Sequence, residues 1–222
     1  MFALNMLEIE FDPVTTDNSA LDVIAQMEAS ETKEMAVADP LTGRLVGRVL
    51  LMSLISLNDK TVALSSLELS EPVYVDEHQH VFEVARQMLQ HELSILPVVS
   101  RDGRFLGVVH KKRVLDALSS MLNLAATGSV ITVELESADF TLSEIVHLIE
   151  SESARILAVA VDRPTTEGAS FSVSIKLDIQ ESSAISNSLR RHGYVVASEN
   201  RSDFMHADMT DRADELIRYL DV

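Results

Sequence analysis

The residues best suited to bind an anion form one basic cluster, His110, Lys111, Lys112 and Arg113, in the segment GVVHKKR. The chain has 35 Asp and Glu against 18 Lys and Arg, so this grouping stands out from its surroundings. The cluster lies where a strand pattern gives way to a helix pattern, and backbone N–H groups at a helix start bind phosphates together with Arg and Lys. We therefore predict that the basic cluster holds the phosphates of an anionic ligand. The alternative is a solvated basic turn that pairs with neighbouring acids.

A second group, Asp76, His78 and His80 in DEHQH, has the residue types of a metal site. Side chains two residues apart share a face only in an extended segment, and the sequence places no third ligand beside them. We interpret them as solvated residues that lead into a helix and expect no metal. The chain also has no Walker loop, GxSxG motif or dinucleotide fingerprint, so we expect a protein that is not an enzyme.

The elements that position the basic cluster belong to a duplicated unit. The segment PVTTDNSALDVIAQM (13–27) matches PVYVDEHQHVFEVARQM (72–88), and GRLVG (43–47) matches GRFLG (103–107). Each copy predicts a short extended segment, an amphipathic helix, two strands joined by a turn and a second helix. Two copies are too few for a solenoid, so we expect them to pair face to face, each covering the apolar face of the other.

The segment from Pro97 to Val109 has an apolar Pro-Val strand, a turn with Gly103 and a second strand with Gly107. This order resembles the cystathionine β-synthase (CBS) domain, and the first copy resembles it too, with Ala36 in place of Pro97. The resemblance implies a CBS pair, with one motif at 8–60 and the other at 61–125. It also implies that an adenosine nucleotide (AMP, ADP or ATP) binds between the copies as an effector. Apart from this effector, the sequence predicts no cofactor.

In CBS pairs of this kind, the third strand leads into a Thr or Ser, and an Asp three residues later holds the ribose hydroxyls. Those positions are Leu50 and Ser53 in the first copy, and His110 and Arg113 in the second. Neither copy has the carboxylate, which can accept both hydroxyls, so the usual ribose contact is not expected. The candidate ligand-binding residues are Thr15, Tyr74, Leu96, Pro97, His110, Lys111, Lys112 and Arg113.

The carboxyl-terminal part has a different pattern. Alternating or continuous apolar strands (130–136, 155–161, 171–179 and 194–198) are interleaved with two amphipathic helices, in the order βαββαβ. This order predicts a ferredoxin-like domain at 128–200, which resembles an ACT domain. ACT domains that bind amino acids usually have a Gly in the first strand-to-helix loop; the loop here, ESADFT (136–141), has none, so a dimerising domain is an equal alternative. Residues 201–222 predict an amphipathic helix.

The predicted fold class is therefore α+β: a CBS pair followed by a βαββαβ ACT-like domain. This combination resembles the acetoin-utilisation protein B family. The net charge of −17 argues against binding to nucleic acid or to an anionic membrane surface. The charge is consistent either with a general solubility role or with a salt-rich cytoplasm. The chain has no Cys, no apolar run of about 20 residues and no basic leader, and we expect it in the cytoplasm.

The sequence thus favours a non-enzymatic, homodimeric regulator that senses an anionic small molecule. A structural or dimerisation scaffold, with a degenerate nucleotide site and no ligand, is the alternative.

Overall fold

The computed structural model describes residues 1–9, 11, 13–136, 141–164, 166 and 170–201. The chain divides into two compact units, Met1–Leu118 and Ser119–Val222. Arg201 ends the last described strand, and the rest of the segment predicted to form a terminal helix lies outside the described residues.

The first repeat has the predicted β-α-β-β-α order. Its elements are β1 (Val14–Thr15), α1 (Ala20–Ala29), β2 (Glu34–Ala38), β3 (Leu45–Leu50) and α2 (Leu51–Ile55). Ser19 caps α1 by accepting a hydrogen bond from the Asp22 backbone N–H at 3.2 Å. The strands form a sheet in the order β1-β2-β3, and α1 packs on it through buried Val23 and Met27.

The second repeat has the same construction. Its elements are β4 (Val75–Asp76), α3 (Val81–Gln90), β5 (Ile95–Val99), β6 (Phe105–His110) and α4 (Lys111–Met121), with the strand order β4-β5-β6. Gly107 pairs with Val98 as Gly47 pairs with Val37, and a bulge follows at the same place in both sheets. The equal register confirms that the sequence matches between the repeats reflect one shared fold.

Each repeat is completed by the segment that precedes the other repeat. The backbones of Glu8 and Val108 exchange hydrogen bonds of 2.8 and 3.2 Å, which joins the amino-terminal segment to β6. In the same way Ser70, just before the second repeat, exchanges bonds of 2.9 and 3.0 Å with Arg48 on β3. The exchange is reciprocal. Each repeat therefore needs the segment that precedes the other repeat to satisfy the backbone hydrogen bonds of its last strand.

The hydrophobic core of each repeat also includes side chains from the segment that precedes the other repeat. A 3-10 helix at Ala3–Met6 packs among the buried residues of the second repeat, and a 3-10 helix at Leu64–Ser66 contributes Leu64 to the core of the first. The amino-terminal residues were assigned no structure from the sequence, and they belong to the core of the second motif.

The two matched glycine turns meet each other. The Leu45 N–H donates to the Gly103 carbonyl at 3.2 Å, and the Phe105 N–H donates to the Gly43 carbonyl at 2.9 Å. Gly43 and Gly103 both have positive φ, +67° and +80°, a conformation that favours glycine. The matching GRLVG and GRFLG segments therefore join the repeats at one end of the first unit.

In the second unit, the described residues form a four-stranded antiparallel sheet in the order β10-β7-β9-β8. The elements are β7 (Ser129–Leu135), α5 (Ser143–Ser151), β8 (Ile156–Asp162), β9 (Phe171–Leu177), α6 (Ser183–Arg191) and β10 (Val195–Arg201). The core lies between the sheet and the two helices and includes Ile131, Ile145, Ile175 and Leu189. The βαββαβ order and the ferredoxin-like strand order confirm the predicted fold of this unit.

Across the described ranges, the helices are too short or too polar to cross a lipid bilayer.

Gly107→Ala should destabilise the protein more than Gly103→Ala. A Cβ atom at 107 would lie 2.5 Å from the Glu8 carbonyl oxygen, and φ is +146°; at 103, no heavy atom lies within 4 Å. We expect losses of unfolding free energy of about 2–3 kcal/mol for Gly107→Ala and about 1 kcal/mol for Gly103→Ala, measured by urea unfolding. Equal losses would contradict the close approach of the amino-terminal segment to β6.

Candidate ligand clefts between the two repeats

The two repeats of the first unit line a narrow central cleft whose free volume, about 20 Å³, is enough for about one water molecule. Most of its lining side chains are apolar, since only Glu34 and Arg48 carry charge. Both repeats contribute residues from matching positions: Phe11 and Pro72, Ala36 and Pro97, Arg48 and Val108, Glu34 and Ile95. The cleft is apolar but too narrow for a nucleotide, so a ligand bound between the repeats would lie in the wider space beside it.

An ion pair lies in this cleft. Arg48 on β3 donates from Nη1 to Oε2 of Glu34 on β2 at 2.8 Å, and the two side chains are only 26% and 23% exposed. Arg48 lies opposite Ala36 in the sheet, so the pair reaches diagonally between the two strands. Its Nε is shielded from solvent and has no hydrogen-bond acceptor within the described part of the chain.

The sequence analysis did not select Arg48 as a site residue. A signal for it was present, because Arg48 is the one charged residue in the apolar strand LVGRVLL. A charged side chain in such a strand, at a position matched by Val108 in the other repeat, indicates a specific partner or ligand.

Arg48 also lines a wider groove beside the cleft, with a volume of about 350 Å³. The groove has apolar surface from Pro72 and Val73, polar side chains from Tyr74, Gln87 and His91, and the carboxylate of Glu71. Tyr74, a predicted ligand-binding residue, is half exposed here. A third space, of about 260 Å³, lies at the start of β2 and β5 and is lined by both repeats, with Glu31, Glu34 and Glu92 among its side chains.

The basic cluster occupies a different place. His110 ends β6, and α4 begins at Lys111, whose backbone N–H donates to the Ser94 carbonyl at 2.8 Å. The side chains of Lys111, Lys112 and Arg113 are exposed. His110 is half-buried, with Nε2 at 3.5 Å from Glu8 Oε2 and its ring edge-on to Phe11 at 6.4 Å between centroids.

The other predicted residues are distributed over both repeats. Pro97 lines the central cleft, whereas Leu96, its neighbour on β5, is fully buried in the second core, so only its backbone could contact a ligand. Thr15 occupies the position that matches Asp76 in the second repeat, and both its N–H and its hydroxyl donate to Asn18 Oδ1, at 2.7 and 3.0 Å. Leu50 and Ser53, which match His110 and Arg113 of the second repeat, are exposed.

The Asp76, His78 and His80 group has structural roles in the described fold. Asp76 accepts a hydrogen bond from the His78 N–H at 2.9 Å, and His80 caps α3 by accepting from the Phe82 N–H at 3.3 Å. The His80 ring also packs edge-on against Phe2 and Phe82. No three His, Asp or Glu side chains come together as a metal site among the residues whose positions are described.

Several carboxyl groups with altered acidity lie in turns or on a helix surface. The pKa of Asp102 is lowered mainly by a hydrogen bond from the Ser100 hydroxyl, and that of Asp39 by hydrogen bonds from Thr42. On α3, hydrogen bonds from Arg86 and Gln87 lower the pKa of Glu83 to about 2. These shifts stabilise charged carboxylates in local structure, whereas a general acid needs a raised pKa.

Residues 64–120 match the family model of the CBS domain. No curated protein matches the chain. Among solved structures, a CBS domain pair/ACT domain protein from Thermotoga maritima is 24% identical and has a TM-score of 0.48, with 54% of this chain and 98% of that chain covered.

Two further structures are similar to the chain. The CBS-pair protein CBSX2 from Arabidopsis thaliana is 21% identical over 55% of this chain and 96% of its own, with a TM-score of 0.45. The cytosolic domain of the Mg²⁺ channel MgtE in complex with ATP is 28% identical over 52% of this chain and 48% of its own, also with a TM-score of 0.45. The family model covers the second repeat, and the first repeat has the same element order, strand order and register.

Proposed function

We propose that the chain is a non-enzymatic regulatory protein whose two repeats bind an adenosine nucleotide, AMP, ADP or ATP, in the space between them. The observation that carries the proposal is the half-buried Arg48, which lines both the apolar central cleft and the groove beside it. Arg binds phosphate through paired N–H donors, and apolar walls suit a planar base. The CBS match over residues 64–120 supports the same class of ligand.

A scaffold without a ligand is the competing function. It is favoured by Leu50 and Ser53 in the first repeat and by His110 and Arg113 in the second, because none of these side chains can accept two ribose hydroxyls as a carboxylate does. The two functions differ in whether any nucleotide stabilises the folded protein.

Adenosine nucleotides should raise the melting temperature of the native protein. A ligand at 100 times its dissociation constant stabilises the folded state by about 2.7 kcal/mol, which corresponds to about 5–10 °C for a chain of this size. Differential scanning fluorimetry with AMP, ADP and ATP measures the shift, with GTP as the matched control. An unchanged melting temperature with every nucleotide would favour the scaffold.

We also propose that the protein acts as a homodimer. Two matched pairs of apolar side chains on the helices of the first unit, Leu21 with Phe82 and Ile55 with Leu115, are between 41% and 63% exposed. Exposed apolar side chains repeated at matching positions are typical of an interaction surface, and most homo-oligomers have twofold symmetry.

The double substitution Leu21→Glu and Phe82→Glu should convert the dimer into a monomer, because it places carboxylates in the apolar face. Size-exclusion chromatography with light scattering should give twice 24.5 kDa for the native protein and 24.5 kDa for the double variant. Leu41→Glu is the matched control, since Leu41 is 94% exposed in a turn, and it should remain dimeric. A native protein that is monomeric at micromolar concentration would contradict the proposal.

For the second unit, we propose an ACT-like role in assembly, with an amino-acid site as the alternative. Residues 137–140 of the loop on which that choice depends lie outside the described residues. The link to acetoin utilisation, the cytoplasmic location and the lack of nucleic-acid or membrane partners remain predictions from the sequence and from the family resemblance.

A further inference from the structure

We infer that Arg48 binds the anionic group of the ligand in the groove next to the first repeat, and that Glu71 accepts hydrogen bonds from the ribose hydroxyls. Each chain binds one nucleoside phosphate there. The inference rests on the proposed function and makes it specific. The anion site is therefore at Arg48, which was not among the site residues predicted from the sequence, and not at the basic cluster of residues 110–113.

The hydrogen bonding of Arg48 leaves one edge of its guanidinium without an acceptor. A guanidinium has five N–H donors, and its Nε and Nη2 edge forms the fork that binds carboxylate or phosphate with two parallel bonds. Glu34 accepts only from Nη1, while Nε is buried and has no acceptor in the portion of the protein that is described. A buried donor without a partner carries an uncompensated desolvation cost in the folded state. Rotation of the side chain toward an anion in the groove would remove that cost.

The groove has the size and chemistry of a nucleotide site. Its volume of about 350 Å³ lies at the lower end of the range of about 300–1,000 Å³ that small-molecule pockets occupy. Pro72 and Val73 supply apolar surface for a base, and Tyr74 can stack on it. Arg48 is the only Lys or Arg among the lining residues that the structure describes for this groove.

Glu71 can take the role of the missing ribose carboxylate. It lines the same groove as Arg48, and its side chain is exposed to the space where a ligand would lie. An ionised carboxylate accepts hydrogen bonds only, so it fits two adjacent hydroxyl donors and disfavours a phosphate at the same position. The opposite charges of Glu71 and Arg48 would therefore set the direction in which a nucleoside phosphate binds.

The second repeat offers a less suitable anion site. His110 is already in contact with the Glu8 carboxylate at 3.5 Å and with the Phe11 ring. An anion at His110 would have to displace Glu8, whose backbone is held by two hydrogen bonds to Val108. Lys111, Lys112 and Arg113 are exposed, and exposed cations are fully hydrated and screened by salt.

Isothermal titration calorimetry of the full chain with ATP tests the inference. The native protein should bind one ATP per chain. Arg48→Met should weaken binding at least tenfold, whereas Arg113→Met should change it less than twofold. Glu71→Gln should reduce the preference for ATP over 2′-deoxyATP, because the neutral amide is a weaker acceptor for the hydroxyls.

Arg48→Met leaves Glu34 half-buried without its partner, so the double substitution Arg48→Met and Glu34→Met serves as the folding control. Replacing both members of such a pair with apolar side chains of similar volume is often tolerated, and the double variant should show the same loss of affinity. Native-like ATP binding by a folded double variant, a loss confined to Arg113→Met, or two ATP molecules per chain would overturn the inference but leave the proposed function standing. If the native protein binds no nucleotide, both fail.

Discussion

The reciprocal pairing of backbone segments between the two repeats is the constraint on which the first unit depends. Glu8 completes the edge of β6, and Ser70 completes the edge of β3, so each repeat receives hydrogen bonds and core side chains from the segment that precedes the other. An unpaired backbone group at a buried strand edge is costly, and this arrangement satisfies such groups in both sheets at once. The duplicated repeats therefore form one compact unit in which the central strands β2 and β5 each have a partner strand on both edges.

The same constraint shapes the clefts and makes them unequal. Ser70 leads directly into Glu71–Tyr74, so the bridge that holds Ser70 to Arg48 also positions the wall of the groove beside the Arg48 side chain. On the other repeat, the corresponding bridge brings Glu8 and Phe11 to His110. The first repeat thus borders an open groove that contains the Arg48 cation. In the second repeat, His110 is already in contact with a carboxylate and an aromatic ring. Function in such a protein is decided by the side chains at matched positions, which differ although the backbones agree.

The sequence predicted the repeated β-α-β-β-α order because the duplication left recognisable marks at positions where the backbone restricts the residue. Gly43 and Gly103 both have positive φ, and Gly47 and Gly107 both lie against a neighbouring segment, so glycine was retained in each copy. The ferredoxin-like unit was predictable from strict alternation in strands such as β9. The ion pair of Arg48 and the contact of Glu8 with His110 were not predictable in this way. These contacts join residues on different strands or in distant segments. The hydrophobic periodicity of a sequence predicts which face of a strand a residue occupies, but not which residue it contacts.

Hydrogen–deuterium exchange of the full chain with and without saturating ATP tests the central claim most directly, namely that the ligand lies in the groove where Arg48 and the segment after Ser70 meet. The account predicts slower exchange of backbone amides in β3 and in residues 71–76 when ATP is bound, with little change at the start of α4, because bound ligand suppresses local opening of the segments that contact it. Slower exchange confined to residues 107–113, or no change in any segment at saturating ATP, would contradict it.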